Sequence, residues 1–417
     1  PSLILAVMVF SLIGASIGLM TGLIPGIHVN TLASMLLVSY PMIEAGLSDL
    51  VDVDMIPVYV CCIIMSASVV HSFVDFVPSV FLGAPDAEDA VSILPGHRLL
   101  LDGKGMVAVR SAAIGSLVGC SVAIAIAVPI QYIMMSGMAD MLDGWTKSVL
   151  VLVTAVLLFN EHRKGHLLFG IAAFILSGAL GYLVMEYRIP CEGIFGDGTL
   201  LMPMLTGLFG LPMMLTADTD NPIPPQKDEM KDPVGFIPGI RGVVMGSIAG
   251  WFPGITSTVG ATISATVMPE RSPERFISAV ASIGSVTTIL SLVTLSISGG
   301  GRSGTVIVIG EILGESVRGL ATAPFLLLLM SSAFASLIGY CLTIWSSHSF
   351  IRLMNKISQR MLNRMVIVFL VAITMLMTGP WGMVILICAT FIGFIPVTAD
   401  TGRTVLCGCL ILPVLLI

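Results

Sequence analysis

The sequence predicts an all-α protein that crosses a lipid bilayer many times, and composition and apolar block length both point to this class. Hydrophobic residues make up 56% of the 417 residues and charged residues only 11%, with a mean hydropathy of +1.02. A soluble chain of this length needs far more charge to cover its surface. The apolar residues also come in blocks close to the roughly 20 residues that a transmembrane helix requires. The clearest blocks are 55–82, 106–138, 148–160, 166–185, 276–298, 321–346 and 365–378.

These continuous blocks indicate helices, because the strands of membrane barrels alternate apolar and polar residues. Lipid cannot satisfy open backbone groups, so the blocks are expected to form a helical bundle of about 10–12 spans. Residues 2–23 are interpreted as a first membrane helix rather than a cleaved signal peptide. We therefore expect a multi-pass protein of the cytoplasmic membrane.

Charge and cysteine usage exclude several other classes. The net charge is −6, and no basic tract suggests a nucleic acid partner. No C-x-x-C pair or His/Cys cluster predicts a metal site, so no cofactor is expected beyond a coupling ion such as Na⁺ or H⁺. Most cysteines fall inside apolar runs, where they act as small hydrophobic residues. The eight are Cys61, Cys62, Cys120, Cys191, Cys341, Cys388, Cys407 and Cys409.

An internal repeat divides the chain. Residues 18–26 read GLMTGLIPG and residues 246–254 read GSIAGWFPG, so both fit G-x-x-x-G-x-x-P-G without a gap. Residues 218–236 between them are polar and rich in Pro and Asp, which predicts an exposed linker. The chain is therefore divided into a first transmembrane repeat (1–217), this linker, and a second repeat (237–417). Inverted topology is expected for the repeats, as in many secondary transporters.

Each repeat carries a Pro-Gly pair that predicts a broken helix, at Pro25-Gly26 and at Pro253-Gly254. A break inside the membrane starts a half-helix whose unpaired N–H groups and positive dipole end suit an anion. Such a break is tolerated where it lines a cavity. The alternative is a Pro kink or small-residue face that serves packing alone. Polar residues after the two breaks add hydrogen-bonding groups: His28, Asn30, Thr31, Thr256, Ser257 and Thr258.

A second pair of interruptions, at 82–89 and 298–305, predicts helix breaks or re-entrant tips. In the first, Asp86, Glu88 and Asp89 could coordinate Na⁺ or carry a proton, or could form a solvated acidic loop. In the second, Arg302 could hold a carboxylate through two parallel hydrogen bonds, or could face lipid headgroups from a surface turn. The other candidate substrate residues of the second tip are Ser298, Gly299, Gly300 and Ser303.

Two further patterns concern ionisable residues. His71 and Asp75 lie four apart in an apolar run, which predicts one helix face that serves either as a proton relay or as a satisfied packing pair. Arg352, Lys356, Arg360 and Arg364 also follow at intervals of four. They predict an interfacial helix against anionic headgroups, with an ordinary solvated loop helix as the alternative. These and the other basic segments are expected in the cytoplasm.

The motifs in their order resemble those of the large permease subunit, the TctA family, of tripartite tricarboxylate transporters, especially its shorter archaeal-type members. The marks of the resemblance are the two Pro-Gly breaks, the run from Phe81 through Pro95-Gly96 to Gly119, the segment 295–305 and the ending 393–413. The sequence departs from the family where Ser298 replaces a proline, where Arg302 is added and where the first tip is acidic.

The resemblance implies an ion-coupled permease that holds its substrate between two repeats. It implies a small membrane subunit and an extracytoplasmic binding protein as partners, and a homodimer is also possible.

Residues and resemblance together predict secondary transport of a small organic anion, a di- or tricarboxylate, coupled to H⁺ or Na⁺. A translocase for a lipid-linked phosphate is the alternative, because the same helix breaks would suit a phosphate headgroup. A membrane-embedded enzyme would need a nucleophile and base, and no such constellation is visible. A non-transporting scaffold would need a centre without polar groups at the two breaks.

Overall fold

A computed structural model describes most of the chain, and its elements are almost all helical. The described residues are 3–24, 29–82, 93–187, 189–194, 196–197, 200–216, 224–227, 234–252, 255, 257–267, 270, 272–301, 303–354 and 359–416. The helices are α1 (Leu3–Leu23), α2 (Val29–Val38), α3 (Tyr40–Leu47), α4 (Ile56–Val74), α5 (Phe76–Leu82), α6 (Ile93–Leu101), α7 (Gly105–Ile133), α8 (Ala139–Lys164), α9 (Leu167–Glu186), α10 (Leu201–Leu205), α11 (Leu211–Thr216), α12 (Ile237–Trp251), α13 (Ser257–Val267), α14 (Pro273–Ser298), α15 (Gly304–Leu313), α16 (Ala323–Met354), α17 (Gln359–Ala399) and α18 (Gly408–Leu416).

Within these residues, seven helical segments are long and apolar enough to cross a membrane, which confirms the predicted polytopic helical bundle. They are Leu3–Leu23, Val53–Phe81, Gly105–Lys164, Leu167–Glu186, Pro273–Ser298, Ala323–Arg352 and Arg364–Ala399. The third and the last contain a glycine with positive φ, Gly137 (104°) and Gly379 (65°). Such backbone interrupts a helix, so each of these two segments divides into two helices.

Short elements fill the turns. Single turns of 3₁₀ helix cover Val53–Met55, Gly314–Val317 and Arg403–Cys407, and π turns cover Met134–Met138 and Thr206–Gly210. Two strands of two residues, β1 (Glu192–Gly193) and β2 (Gly196–Asp197), pair antiparallel. This hairpin lies against the bend in α17, where the Ile194 N–H donates to the Leu376 carbonyl at 2.8 Å.

Glycines spaced four apart bring α1 against α4. A side chain at Gly14 would overlap the backbone of Ile63, and one at Gly18 would lie 2.5 Å from the carbonyl oxygen of Ala67. Farther along, Gly22 lies against the backbone at His71. Residues four apart share a helix face, and small residues on that face let two backbones approach closely. The contacts advance together along both helices, so α1 and α4 run parallel.

The glycines of the second motif bring α12 against α14 in the same way. Gly242 packs on the backbone at Ala279, and Gly246 lies 2.9 Å, measured from an added Cβ, from the carbonyl oxygen of Ile283. Gly250 then meets Leu290. These helices also run parallel, and the serine and threonine side chains of α14 hydrogen-bond to the α12 backbone, as in the bond from Ser282 Oγ to the Gly239 carbonyl at 2.6 Å.

The pair α1 and α4 runs in the opposite direction to the pair α12 and α14, as the contacts of α7 and α16 show. Gly115 of α7 packs on Ser278 of α14 and Gly119 on Ser282, so α7 runs parallel to α14. In contrast, Ser331 of α16 donates to the Cys62 carbonyl of α4 at 3.2 Å, and Gly339 packs on Phe73 about two turns farther along α16 and three turns farther along α4.

Helix α16 is therefore parallel to α4. The end of α7 meets the chain just before α16 begins, because Gln131 contacts Gly319 and Ala321. It follows that α1, α4 and α16 run one way and that α7, α12 and α14 run the other.

Part of the predicted linker is anchored. Gln226 accepts from the Gly105 N–H at 2.7 Å and donates to the Leu100 carbonyl at 3.1 Å. The Lys227 N–H donates to the Gly103 carbonyl at 2.9 Å. Residues 224–227 are thus docked on the turn between α6 and α7, with the side chains of Pro225 and Lys227 exposed.

The basic residues 352–364 do not share one separate helix. Arg352 lies in the last turn of α16, whereas Arg360 and Arg364 lie in the first turns of α17. Lys356 falls outside the described residues. Where the chain is described, the predicted interfacial helix is therefore replaced by the ends of two long apolar helices, because each arginine continues the helix of the adjacent span.

Candidate functional site

Both predicted helix breaks fall between two helices of the structure. Helix α1 ends at Leu23 and α2 begins at Val29; α12 ends at Trp251 and α13 begins at Ser257. The residues of the breaks themselves lie outside the described residues: Pro25, Gly26, His28, Pro253, Gly254 and Thr256. The first break follows Gly22, which packs at the level of His71 in the apolar segment Val53–Phe81.

Asn30 joins the first break to the second tip. Its side-chain oxygen accepts a hydrogen bond from the Thr305 N–H at 3.0 Å. Gly304 lies so close that a Cβ there would be 2.8 Å from Asn30 Cγ. Thr31 follows Asn30 in the first turn of α2. Asn30 is the second residue of α2, and Gly304 is the first of α15, so the N-terminal ends of these two helices meet at one side chain.

Two hydroxyl groups lie at the start of α15, next to the contact between Asn30 and Thr305. Ser303 caps α15, since its Oγ accepts from the Val306 N–H at 3.4 Å. The same hydroxyl lies 3.0 Å from Thr305 Oγ1. Two helix N-termini, one carboxamide and two hydroxyls therefore lie together. This set offers an anion hydroxyl donors and two helix dipoles without a full charge.

The glycines of the second tip allow a tight reversal after α14. Gly299 has φ +71° and donates its N–H to the Leu295 carbonyl, which ends the helix. A side chain on Gly299 would overlap the guanidinium of Arg318. The Gly300 N–H donates to Ser298 Oγ at 3.3 Å. Arg302, predicted to bind a carboxylate, lies outside the described residues.

Arg318 is a cation near this tip that sequence reasoning missed. Its guanidinium lies against Gly299 and pairs with Glu315 at 2.7 Å, with both side chains substantially exposed. The available signal was the short polar segment 314–319 that follows the apolar α15. The sequence could not place this segment beside Gly299, because the chain must first turn back through α15.

Gln131, also missed, fixes the base of the second tip. This fully buried amide donates to Ser296 Oγ at 2.7 Å and to the Gly319 carbonyl at 3.3 Å, and its oxygen accepts from the Ala321 N–H at 3.1 Å. The end of α14 and the start of α16 are thereby bound to α7. A lone glutamine in the apolar block 106–138 was the only sequence signal.

The second break is flanked by buried polar groups. Ser257 and Thr258, both predicted site residues, begin α13 and are buried. Trp251, the last residue of α12, is 5% exposed, and its indole N–H has no hydrogen-bond partner in the described part of the chain. A buried donor without an acceptor costs about 1–3 kcal/mol, so this N–H is available to a ligand or a bound water. Nothing in the sequence set this tryptophan apart from a packing residue.

The predicted pair His71 and Asp75 lies beside the first break. His71 is 6% exposed and shares a hydrogen bond of 3.0 Å between its Nδ1 and Thr21 Oγ1 of α1. Asp75 is buried one turn later, where α4 ends. The other predicted coupling residues, Asp86, Glu88 and Asp89, lie outside the described residues. Within the described ranges, no group of three His, Cys, Asp or Glu side chains could hold a metal ion.

Two buried carboxylates lie away from this site and were not predicted. Glu161, 2% exposed at its side chain, pairs with Lys164 at 2.8 Å at the end of α8. Glu270, 3% exposed, pairs with Arg241 at 2.9 Å and with Arg275 at 3.1 Å. Burial of a charge requires such partners. The Glu161 pair lies within α8, whereas Glu270 connects Arg241 of α12 to Arg275 of α14.

Comparison with known proteins gives a consistent result. A family model described as the tripartite tricarboxylate transporter TctA family matches residues 8–408. An uncharacterized protein of Methanocaldococcus jannaschii is 25% identical over 422 residues, which cover 98% of each chain. No solved structure matches the chain.

Proposed function

Because the chain belongs to the TctA family of tripartite tricarboxylate transporters, we propose that it is the permease that carries a small di- or tricarboxylate across the cytoplasmic membrane. The family is a transporter family and not an enzyme family. The seven apolar segments make the protein a multi-pass membrane protein. Carboxylate specificity, coupling to H⁺ or Na⁺ and the position of the substrate are the parts of the proposal that go beyond family membership.

The observation that carries the proposal is the hydrogen bond from the Thr305 N–H to Asn30. It joins two helix starts that are 275 residues apart. A carboxylate at this point would accept hydrogen bonds from the hydroxyls of Ser303 and Thr305, and the dipoles of α2 and α15 would favour its charge. Charge-assisted hydrogen bonds of this kind are about twice as strong as neutral ones. The second break would add the indole N–H of Trp251 and the hydroxyls of Ser257 and Thr258.

The directions of the packed helices support an inverted repeat. The glycine motif of α1 packs on α4 as that of α12 packs on α14, and the two pairs run in opposite directions. Helix α16 of the second half packs parallel to α4 of the first half, and α7 of the first half packs parallel to α14 of the second half. In transporters built this way, one unit moves against the other around a fixed site. We propose that the site at Asn30 opens alternately to the two sides of the membrane.

The coupling ion is proposed to be a proton carried by His71 or Asp75. His71 bonds to Thr21 one turn before the first break, so protonation of its ring would act on the end of α1. Ionisable side chains at such depth are costly and are common in proton relays. Asp86, Glu88 and Asp89 stay as predicted candidates for a Na⁺ site.

The partners follow from the family. TctA permeases work with partner subunits in tripartite transporters. We propose that this chain also takes its substrate from an extracytoplasmic binding protein and assembles with a small membrane subunit. The homodimer suggested by the sequence stays a prediction.

Uptake of radiolabelled citrate and succinate into liposomes that contain the purified protein tests the proposal. An inward proton gradient is expected to drive uptake, and a protonophore is expected to abolish it. Asn30→Asp should reduce uptake at least about tenfold, because it places a negative charge where the anion binds. Ser34→Ala is the matched control one turn later on α2, where the hydroxyl serves only the helix backbone.

The same liposomes test the coupling role of His71. His71→Gln can keep a hydrogen bond to Thr21 but cannot titrate, so it should retain carboxylate binding and lose the dependence on the proton gradient. The proposal is wrong if no carboxylate accumulates under any proton or sodium gradient. Movement of a lipid-linked phosphate in that case would support the alternative translocase.

A further inference from the structure

A groove on α17 combines two arginines with an apolar floor. Arg360 and Arg364 lie one turn apart at one end, and the groove has a volume of about 550 Å³. Its floor consists of Met361, Met365, Val368 and Phe369, which follow the same helix toward its centre. Met361, Met365 and Val368 are 52–67% exposed.

The position of this groove along α17 places its two ends in different surroundings. The segment of α17 that is long and apolar enough to cross a membrane begins at Arg364. With this segment across the bilayer, the arginine end would lie at the level of the headgroups, and Met365, Val368 and Phe369 would lie in the hydrocarbon region. Arginine at such a boundary can extend its charged end toward the interface while its stem stays in lipid.

Basic residues are in excess in the part of the chain that contains this groove. No Asp or Glu occurs between Glu315 and Asp400, although Arg318, Arg352, Lys356, Arg360 and Arg364 do. The first turn of α17 contains no acidic residue. Arg364 makes no hydrogen bond or ion pair within the described part of the chain, and its side chain is exposed. Its guanidinium is therefore available to an anion.

The neighbours of the groove point to the basic side of the membrane. Phe350 near the end of α16 stacks on Phe81 with ring centroids 6.4 Å apart, and Val366 and Leu370 pack in the same cluster as Leu99 and Met106. This is the end of the bundle that carries the exposed Arg98 and Lys104. Anionic lipids are attracted to a surface with such an excess of basic residues.

We propose that this groove binds one anionic phospholipid. The lipid phosphate would be held by Arg360 and Arg364, whose planar guanidinium groups match phosphate oxygens in pairs. Residues four apart on a helix have Cβ atoms about 5–6 Å apart, so both can reach one phosphate. An acyl chain would cover Met361, Met365 and Val368. A soluble anion would leave this apolar floor unused, and a protein partner would have to supply acidic groups at the arginine end.

Native mass spectrometry of the delipidated protein with added lipids tests the proposal. The wild type is expected to retain one phosphatidylglycerol at least about tenfold better than phosphatidylcholine. Arg360→Gln with Arg364→Gln should remove this preference. Arg352→Gln is the matched control, because Arg352 is exposed at the adjacent end of α16 but does not line the groove. Val368→Trp should weaken binding of both lipids by filling the floor.

Three outcomes would overturn the inference. The first is equal retention of the two lipids by the wild type. The second is full retention of phosphatidylglycerol by the double arginine variant when its circular dichroism matches that of the wild type. The third is displacement of the lipid by an equal concentration of glycerol phosphate, because this would show a site for soluble phosphate without any contribution from the acyl chain.

Discussion

At the scale of single residues, the proposed site depends on polar groups that serve two helices at once. Asn30 stands at the start of α2 and accepts a hydrogen bond from the start of α15. Gln131 hydrogen-bonds to Ser296 near the end of α14 and to Gly319 and Ala321 just before α16. Trp251 differs, because its buried indole N–H lacks a partner in the described residues. A fully bonded amide fixes a structure, whereas an unbonded donor is a place for a ligand to bind.

Trp251→Phe should therefore separate stability from binding. The variant removes a buried unpaired donor and part of an aromatic surface, so the melting temperature without ligand should change little. Affinity for the carboxylate should fall about five- to tenfold, the effect of one lost hydrogen bond. Isothermal titration calorimetry and thermal unfolding in detergent measure the two quantities.

The control for this change is Trp345→Phe, because Trp345 is 60% exposed on α16. It should leave both affinity and melting temperature near those of the wild type. If Trp251→Phe bound carboxylate as tightly as the wild type, the second break would have no part in the site.

At the scale of elements, close helix pairs depend on glycines at intervals of four. The Gly14, Gly18 and Gly22 face lets α1 touch the α4 backbone, and this contact holds Thr21 within reach of His71. Membrane helices gain little from apolar burial against each other, because lipid is equally apolar, so close packing is the main source of their association. The glycine motif therefore positions the first break.

Gly18→Ala should weaken this pair. The added Cβ would lie 2.5 Å from the Ala67 carbonyl oxygen, and overpacking of this kind costs about 1–3 kcal/mol. We expect a lower apparent melting temperature in detergent, measured by tryptophan fluorescence, together with weaker carboxylate binding. Gly144→Ala on α8 meets nothing within 4 Å and should keep or slightly raise the melting temperature. Equal melting temperatures for the two variants would contradict the proposed packing role.

The spans were predictable because their signal is local. The residues of an apolar block such as 276–298 predict a helix without reference to the rest of the chain. The bounds of α14 (Pro273–Ser298) agree closely with this block. Asn30 and Ser303 were also predictable as polar residues beside glycine or proline in apolar surroundings. The contact of Asn30 with Thr305 was not predictable, because the tertiary fold brings together residues that are 275 apart in the chain.

Gln131 and Glu161 were missed for a related reason. Gln131 is a single amide inside an apolar block and Glu161 lies in the short polar run that follows another block. The importance of each comes from partners elsewhere in the chain. Gln131 meets Gly319 and Ala321, and Glu161 lies against Gly402. The basic series from Arg352 to Arg364 was misassigned to one helix because the four-residue spacing continues across the join between α16 and α17.

At the scale of the whole molecule, the two halves are interlocked rather than side by side. Helix α4 of the first half packs on α16 of the second half, and α14 of the second half packs on α7 of the first half. The N-terminal ends of α2 and α15, which come from different halves, meet at Asn30. Binding of an anion there would connect the halves, so movement of one half would depend on whether the site is occupied.

A cryo-electron microscopy structure with bound citrate tests the central claim most directly, namely that the substrate is held where α2 and α15 begin. We predict density for the ligand within hydrogen-bond distance of Asn30, Ser303 and the Thr305 hydroxyl in the wild type, and none in Asn30→Asp. Density at another place, with this point closed to the ligand in a protein that transports citrate, would contradict the claim.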